Sequence, residues 1–195
     1  MGDIKKEKKK YRGPLHPWQK ERIEEEKTQL KEYGFKNKKE IWKISSLLIK
    51  FKNQAKKLTA AHTEQTEKEK EQLLNRVQAL GLLEGTPTLD GILGLTIDDL
   101  MGRRLQTVVL RKGLAKSIKQ ARQFITHGHI TIADKKITKP NCLVLKDEEA
   151  RISFPSSSPL SREDHPERLV GKAVDKEKKI KRVRRKRGRG NDKTR

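Results

Sequence analysis

The excess of positive charge is the feature that most limits how this chain can fold. Lys and Arg together number 48 against 26 Asp and Glu, which gives a formal net charge of +22 over 195 residues. A compact chain with this charge repels itself unless a polyanion neutralises it. Because hydrophobic residues make up only 32% of the chain, the core should also be small. We therefore expect one or two small domains and a polyanionic partner.

Three classes of partner suit a strongly basic chain, namely nucleic acid, an anionic membrane and an acidic protein. The sequence has no apolar run of about 18 residues, so no membrane-spanning helix is expected. The first ten residues, MGDIKKEKKK, carry charges without a following apolar region, so they do not resemble a signal peptide. Nucleic acid is the expected partner, with no membrane and no small-molecule substrate.

Cysteine and histidine usage argues against a metal or disulfide framework. Cys142 is the only cysteine, which excludes a disulfide within the chain and a zinc site built from several cysteines. The five histidines show no metal-ligand spacing: His16, His62, His127, His129 and His165. We expect no cofactor, no metal and a reducing, cytoplasmic location.

The first half of the chain is predicted to be helical after a basic arm at residues 1–17. Helices are expected at about 18–33, from a capping-box-like start at Asn37 and Glu40, and at about 66–80. The second has apolar residues three and four positions apart between Ile41 and Leu58, which is typical of one buried helical face. Residues 85–94 are predicted to be a loop, and Thr96 should cap a short helix. Together, residues 18–102 form a predicted helical N-terminal domain.

The pattern changes after residue 103. A helix is predicted over 103–112, followed by a second over 118–127 that is capped by Ser117 with Gln120 and ended by Gly128. Residues 129–133 alternate like a half-buried strand, and residues 134–136 suggest a turn. Ile137 and residues 143–145 are expected to supply further short strands. This pattern predicts a compact helix-helix-hairpin unit.

The second of these helices carries the predicted binding chemistry. Its first backbone amides have no acceptor within the helix, and this makes a phosphate site. Lys119 and Arg122 lie beside that site, and Arg104 and Arg111 can extend the basic surface. The alternative interpretation is a solvated helix face with Ser117 as a plain cap. His16 and Trp18 are interpreted as local packing or docking residues rather than as ligands.

The C-terminal part of the sequence predicts little folded structure. Residues 155–161 are rich in Ser and Pro, which is typical of a linker. Residues 172–195 contain thirteen Lys/Arg and three acids, a net charge of +10, which predicts a tail that is disordered on its own. The expected division is therefore 1–17, 18–102, 103–154 and 155–195.

The run RRLQTVVLRKGLAKSIKQARQFITHGHITI closely resembles the S-four RNA-binding domain, also called the alpha-L motif. Members of that family bind structured RNA through the surface of the two helices. Many members have Asn-Gly at the hairpin turn, whereas this chain has Ala133-Asp134. The residues expected to bind RNA are Arg103, Arg104, Arg111, Lys112, Ser117, Lys119, Gln120, Arg122, Gln123, His127, Gly128, His129, Lys135 and Lys136.

The flanking segments PLHPWQKERIEEE, KNKKEIWKISSLLIKFKNQAKKL and LTIDDLMGRRLQTVV are similar to the archaeal-type branch of small-subunit ribosomal protein four. The resemblance implies an α+β protein with an all-α N-terminal domain beside the alpha-L unit and basic, disordered tails. It also implies binding to the five-prime domain of small-subunit rRNA, an early assembly role, small-subunit protein five as a neighbour and an influence on decoding accuracy.

Three further functions compete with a structural ribosomal role. The S-four unit also occurs on RNA-modifying enzymes and synthetases, but those need a further catalytic domain, and this chain shows no nucleotide loop or nucleophile–base set. A free-standing RNA chaperone or ribosome-rescue factor could be built on the same unit, and a DNA-compacting protein would fit the charge. Preference for folded RNA over duplex DNA would separate RNA binding from DNA compaction. The sequence predicts that the chain is not an enzyme.

Overall fold

The computed structural model describes residues 9–60, 63–83, 85, 87–162 and 165–167. Helices dominate this part of the chain, and the strands within it form a three-stranded antiparallel sheet. The prediction of an α+β fold is therefore confirmed. The basic tail at 172–195 and the first eight residues of the arm lie outside the described residues.

Three helices build the N-terminal half around one apolar face. They are α1 (Lys20–Glu32), α2 (Lys38–Ala60) and α3 (Glu64–Ala79). Helix α2 buries residues at the predicted spacing of three and four, from Ile41 through Ile44, Leu48 and Phe51 to Ala55. Helix α3 begins two residues earlier than predicted because Thr63 caps it through a hydrogen bond from the Thr66 amide.

Two short helices complete this half. The prediction that residues 85–94 are a loop is wrong for its second part, because α4 (Leu89–Gly94) forms there. The Thr88 side chain caps α4 by accepting from the Gly91 amide, and Ile92 is fully buried in the N-terminal core. Helix α5 (Ile97–Gly102) follows as predicted, with the Asp99 carboxylate accepting from the Thr96 amide at 2.8 Å.

The second half has its own core around two adjacent helices. These are α6 (Leu105–Arg111) and α7 (Ile118–Thr126). Leu105, Val108 and Val109 on α6 are fully buried against Ala121 and Ile125 on α7. Burial of each large aliphatic side chain contributes about 1.5–3 kcal/mol, so this packing fixes the relative position of the two helices.

The hairpin after α7 differs from the prediction in where it turns. Strand β1 (Thr131–Ile132) pairs with β2 (Lys135–Lys136), so these lysines form a strand and not part of the turn. The chain reverses at Ala133 and Asp134, whose φ angles are 46° and 67°. Two consecutive positive φ angles are those of a type I′ turn, the tight turn that suits the twist of two paired strands. The geometry is thus retained without the usual Asn-Gly pair.

The third strand also lies elsewhere than predicted. It is β3 (Ile152–Ser153), which pairs with β1 on the side opposite β2. Leu143 makes only an isolated bridge to Arg104, and residues 146–150 form a short helix, α8 (Lys146–Ala150). The prediction of strands at Ile137 and 143–145 is therefore wrong. The Ile137 amide donates a hydrogen bond to the Ile130 carbonyl, and this contact extends the hairpin beyond its two strands.

Ser158 and Leu160 are buried, although the sequence suggested a linker there. Leu160 is buried in the second core, within a short 3-10 helix (Pro159–Ser161). Ser158 caps this turn and is itself buried. The linker prediction is wrong here because a single leucine among Ser and Pro gives no periodic signal. Among the described residues, no helix combines the length and the apolar character that crossing a membrane requires.

Candidate nucleic-acid interface

The start of α7 is capped by Ser117, as the sequence predicted. Ser117 adopts an extended conformation, and its hydroxyl accepts a hydrogen bond from the Gln120 amide at 3.2 Å. The Gln120 side-chain oxygen in turn accepts from the Lys116 amide at 2.8 Å. The first turn of a helix leaves backbone amides without an acceptor inside the helix, and such amides stabilise an anion.

One exposed stripe runs along α7 from this end. Lys119, Gln123 and Thr126 are exposed and spaced three or four residues apart, so they share a helical face. His127 continues the stripe and stacks on His129, with the ring centroids 6.4 Å apart. Along the helix, the stripe therefore presents the Lys119 ammonium, the Gln123 amide and the His127 imidazole in that order.

The hairpin extends this stripe beyond the helix. Gly128 has a φ of 74°, and the Lys136 side chain lies directly across its α-carbon, in the space that a β-carbon would fill. Lys136 is exposed on β2, as is its neighbour Lys135. We define the α7–hairpin surface as Lys116, Ser117, Lys119, Gln123, His127 and Lys136.

Arg104 does not belong to any surface, which contradicts its prediction as an RNA contact. It is 0% exposed. Its guanidinium lies 4.0 Å from the Phe35 ring centroid and pairs with Glu40 at 3.1 Å and with the Asn141 amide oxygen at 2.9 Å. Burial lowers the pKa of Arg104 to about 10, and the charge of Glu40 opposes that shift.

Arg122 and Arg103 are also engaged within the protein. Arg122 donates to both carboxylate oxygens of Glu40, at 2.6 and 3.1 Å. Arg103 pairs with Glu149 at 2.7 Å and donates to the Val144 carbonyl at 3.1 Å. Glu40 therefore forms ion pairs with two arginines, although the sequence suggested that it helps to cap the start of a helix. Both Arg122 and Arg103 were predicted to contact RNA, and the structure gives their guanidinium groups partners in the fold.

Arg111, Lys112 and His129 each contact other residues of the fold. Arg111 lies beside Gly102 in a groove that Asp98, Asp99 and Glu149 also line. Lys112 is exposed and donates to the Ala150 carbonyl at 3.1 Å. His129 is turned inward, with its Nδ1 2.8 Å from the Ser158 hydroxyl. Arg111 and Lys112 therefore contact other parts of the fold, whereas His129 lies beside His127 of the α7–hairpin surface.

The chain itself covers part of the α7 N-terminus. Gln120 donates to the Glu167 carboxylate at 2.6 Å, and Lys116 lies 3.7 Å from the same carboxylate. A carboxylate next to a helix N-terminus occupies the position that a phosphate would take. Glu167 therefore places a negative charge beside the Lys116 and Gln120 side chains at this end of the surface.

Sequence reasoning missed several residues that build or complete the site. Lys116 immediately precedes the cap residue Ser117, and that position alone could have identified it. Gln106 is fully buried and donates to the carbonyls of Gly34 and Ile118, at 3.2 and 2.8 Å. No local signal marks this contact, because Gly34 is 72 residues away from Gln106.

Comparison with known proteins agrees with this geometry. The model of the S4 domain family matches residues 103–149. The chain is 48% identical over 159 residues to "Small ribosomal subunit protein uS4" of Ignicoccus hospitalis, covering 82% of this chain and 96% of that protein. It is 47% identical over 171 residues to the protein of the same name from Methanococcus maripaludis, covering 87% and 96%.

Proposed function

The chain belongs to the family of small ribosomal subunit protein uS4, which is structural and not enzymatic, and from this membership we propose that it is a structural constituent of the small subunit that binds the five-prime domain of its rRNA. The resemblance to the archaeal-type branch is confirmed by these relatives. The observation that carries the proposal is the α7–hairpin surface, where exposed lysines lie at both ends of α7.

The chemistry of this surface suits the RNA backbone. Lys116, Lys119 and Lys136 supply positive charge, and the first turn of α7 supplies amides that bind a phosphate oxygen. Double-stranded RNA is recognised mainly through its phosphates and its shape, and these are the features that lysines and backbone amides can contact. We propose that the surface reads the shape of a folded rRNA segment.

The other expected properties follow as parts of the same proposal. The protein supports early assembly of the subunit because it binds rRNA directly. It contacts small-subunit protein five and influences decoding accuracy, in the cytoplasm. Lys135 and the exposed edge of Arg122 extend the contact around the α7–hairpin surface, and Lys112 makes a separate RNA contact. Arg104 is buried and supports the binding surface only by stabilising the fold.

Co-sedimentation tests the proposal. A native lysate is separated on a sucrose gradient, and small subunits are then washed in high salt. We expect the protein with the small subunit, at one copy per particle and resistant to moderate salt. Migration near the top of the gradient, or only with stalled large subunits, would instead indicate a free RNA chaperone or a rescue factor.

A further inference from the structure

The N-terminal arm presents an aromatic side chain to solvent in a setting of positive charge. Trp18 is 91% exposed, so of its two interpretations, packing and docking, packing is wrong. Residues 9–20 include Lys9, Lys10, Arg12 and Lys20, and they contain no carboxylate. A fully exposed tryptophan ring does not contribute the free energy that its burial would supply. A binding partner that covers the ring would supply that free energy.

The other tryptophan of the chain shows the contrast. The indole N–H of Trp42 donates to the Glu26 carboxylate at 3.0 Å, and its ring pairs with Tyr11 at a centroid distance of 6.0 Å. Trp42 is thus a packed, hydrogen-bonded residue of the helical core. Trp18 lies only one residue before the cap of α1, and within the described part of the chain its ring is left almost wholly to solvent.

The arm around Trp18 is held against the helices. The Arg12 amide donates to the Ser46 hydroxyl at 2.8 Å, and the Arg22 guanidinium donates to the Pro17 carbonyl at 2.8 Å. Arg22 is itself paired with Glu26. The backbone on both sides of the segment is therefore fixed, and the fixed φ of Pro17 stiffens it further. The ring is held outward by a supported backbone.

We propose that Trp18 is a stacking platform for an unpaired nucleobase of small-subunit rRNA, with Arg12 and Lys20 on the adjacent phosphates. The inference rests on the proposed function. An aromatic ring among cations is the combination that binds single-stranded RNA, since the ring stacks on a base while the cations follow the backbone. An acidic protein would also suit the cations, but a flat exposed indole matches the face of any base.

Affinity for a refolded transcript of the rRNA five-prime domain tests this, using the full chain and a filter-binding assay. Trp18→Ala and Trp18→Leu should each weaken binding about 5- to 100-fold, because both remove the aromatic face. Trp18→Phe should stay within about 3-fold, since it keeps a ring. Trp18→Leu is the matched control for apolar area, and equal melting temperatures confirm folding. On a fully paired RNA duplex of equal length the variants should bind alike.

Tryptophan emission gives a second readout. The wild-type spectrum minus that of Trp18→Phe isolates the emission of Trp18, and stacking on a base should quench it when the transcript is added. Wild-type binding with no quenching and with equal affinity for all variants would overturn the stacking site while leaving the proposed function intact. A loss of affinity in Trp18→Ala but not in Trp18→Leu would also overturn the stacking site, because apolar area would then be enough for binding. Quenching of Trp18 emission only in assembled subunits would overturn it as well. Failure of the wild-type chain to bind the transcript would overturn both.

Discussion

Arg122 and Glu40 are 82 residues apart in the sequence and form a two-contact ion pair that joins α7 to the start of α2. The same carboxylate also pairs with the fully buried Arg104. One acidic side chain therefore neutralises two arginines at the junction between the N-terminal helices and the helix-hairpin unit. Arg104 and Arg122 therefore have a role in holding the fold together.

Removing the charge of Glu40 should destabilise the fold. Glu40→Gln leaves the Arg104 guanidinium buried without a counter-charge, and breaking a buried pair in this way costs about 3–5 kcal/mol. Urea unfolding measures the loss. The matched control is Glu64→Gln, which removes the exposed pair with Lys68 and should cost at most about 1 kcal/mol. Equal losses in the two variants would contradict a structural role for Glu40.

The junction also requires the absence of a side chain at position 34. A β-carbon on Gly34 would lie 2.8 Å from the Gln106 amide nitrogen and from two carbons of Ile118, at a φ of 61°. We expect Gly34→Ala to lower the free energy of unfolding by about 2–5 kcal/mol, the sum of left-handed backbone strain and overpacking. Gly113→Ala is the control, since Gly113 has a φ of 72° but open space around it. It should lose only about 1–2 kcal/mol.

The buried Glu26 should make stability depend on acid pH. Burial alone would raise the pKa of Glu26, but hydrogen bonds from Trp42, Lys38 and Arg22 outweigh it and hold the pKa below its ordinary value. A depressed carboxylate pKa contributes stability above the unfolded-state pKa, and that contribution is lost as pH falls through the folded-state pKa.

Glu26→Gln should therefore lower the free energy of unfolding by about 1–3 kcal/mol at neutral pH. The difference from wild type should shrink as pH falls below about 4. Urea unfolding at several pH values checks this. A difference that stays constant down to acid pH would show that the hydrogen bonds do not depend on the charge of Glu26.

Glu167 should compete with RNA for the start of α7. Glu167→Gln removes the negative charge beside Lys116 and Gln120, so rRNA affinity should rise by about 2- to 5-fold, the effect of an exposed ion pair. Filter binding at fixed salt measures the change. Asp147→Asn, at an exposed position on α8, is the control for net charge and should leave affinity closer to wild type. Equal gains in both variants would indicate a general charge effect.

The sequence predicted the parts of this fold that depend on local signals. The caps at Thr96 and Ser117, the apolar face of α2 and the end of α7 at Gly128 all follow from residues within a few positions of one another. Local patterns did not reveal α4, because Leu89–Gly94 is only six residues long and contains two glycines.

The errors concern contacts between distant segments. In the sequence, Arg104 and Arg122 have the pattern of cations that face solvent. Both instead pair with Glu40, which is 64 residues from Arg104 and 82 residues from Arg122. Strand β3 was missed because a two-residue strand is recognised by its pairing with β1 and not by its composition. Charge alone therefore gave no sign that Arg104 is buried or that Arg122 is paired with Glu40.

We propose that the α7–hairpin surface binds rRNA mainly through its exposed lysines, while the buried Arg104 of the Glu40 junction stabilises the fold. The most direct test is the affinity of Lys119→Glu with Lys136→Glu for the five-prime-domain transcript, alongside urea unfolding. We expect at least about a 10-fold loss of affinity, because contacts to charged groups contribute about 1.5–3 kcal/mol each, with an unchanged free energy of unfolding. Wild-type affinity in the folded double variant would contradict the claim.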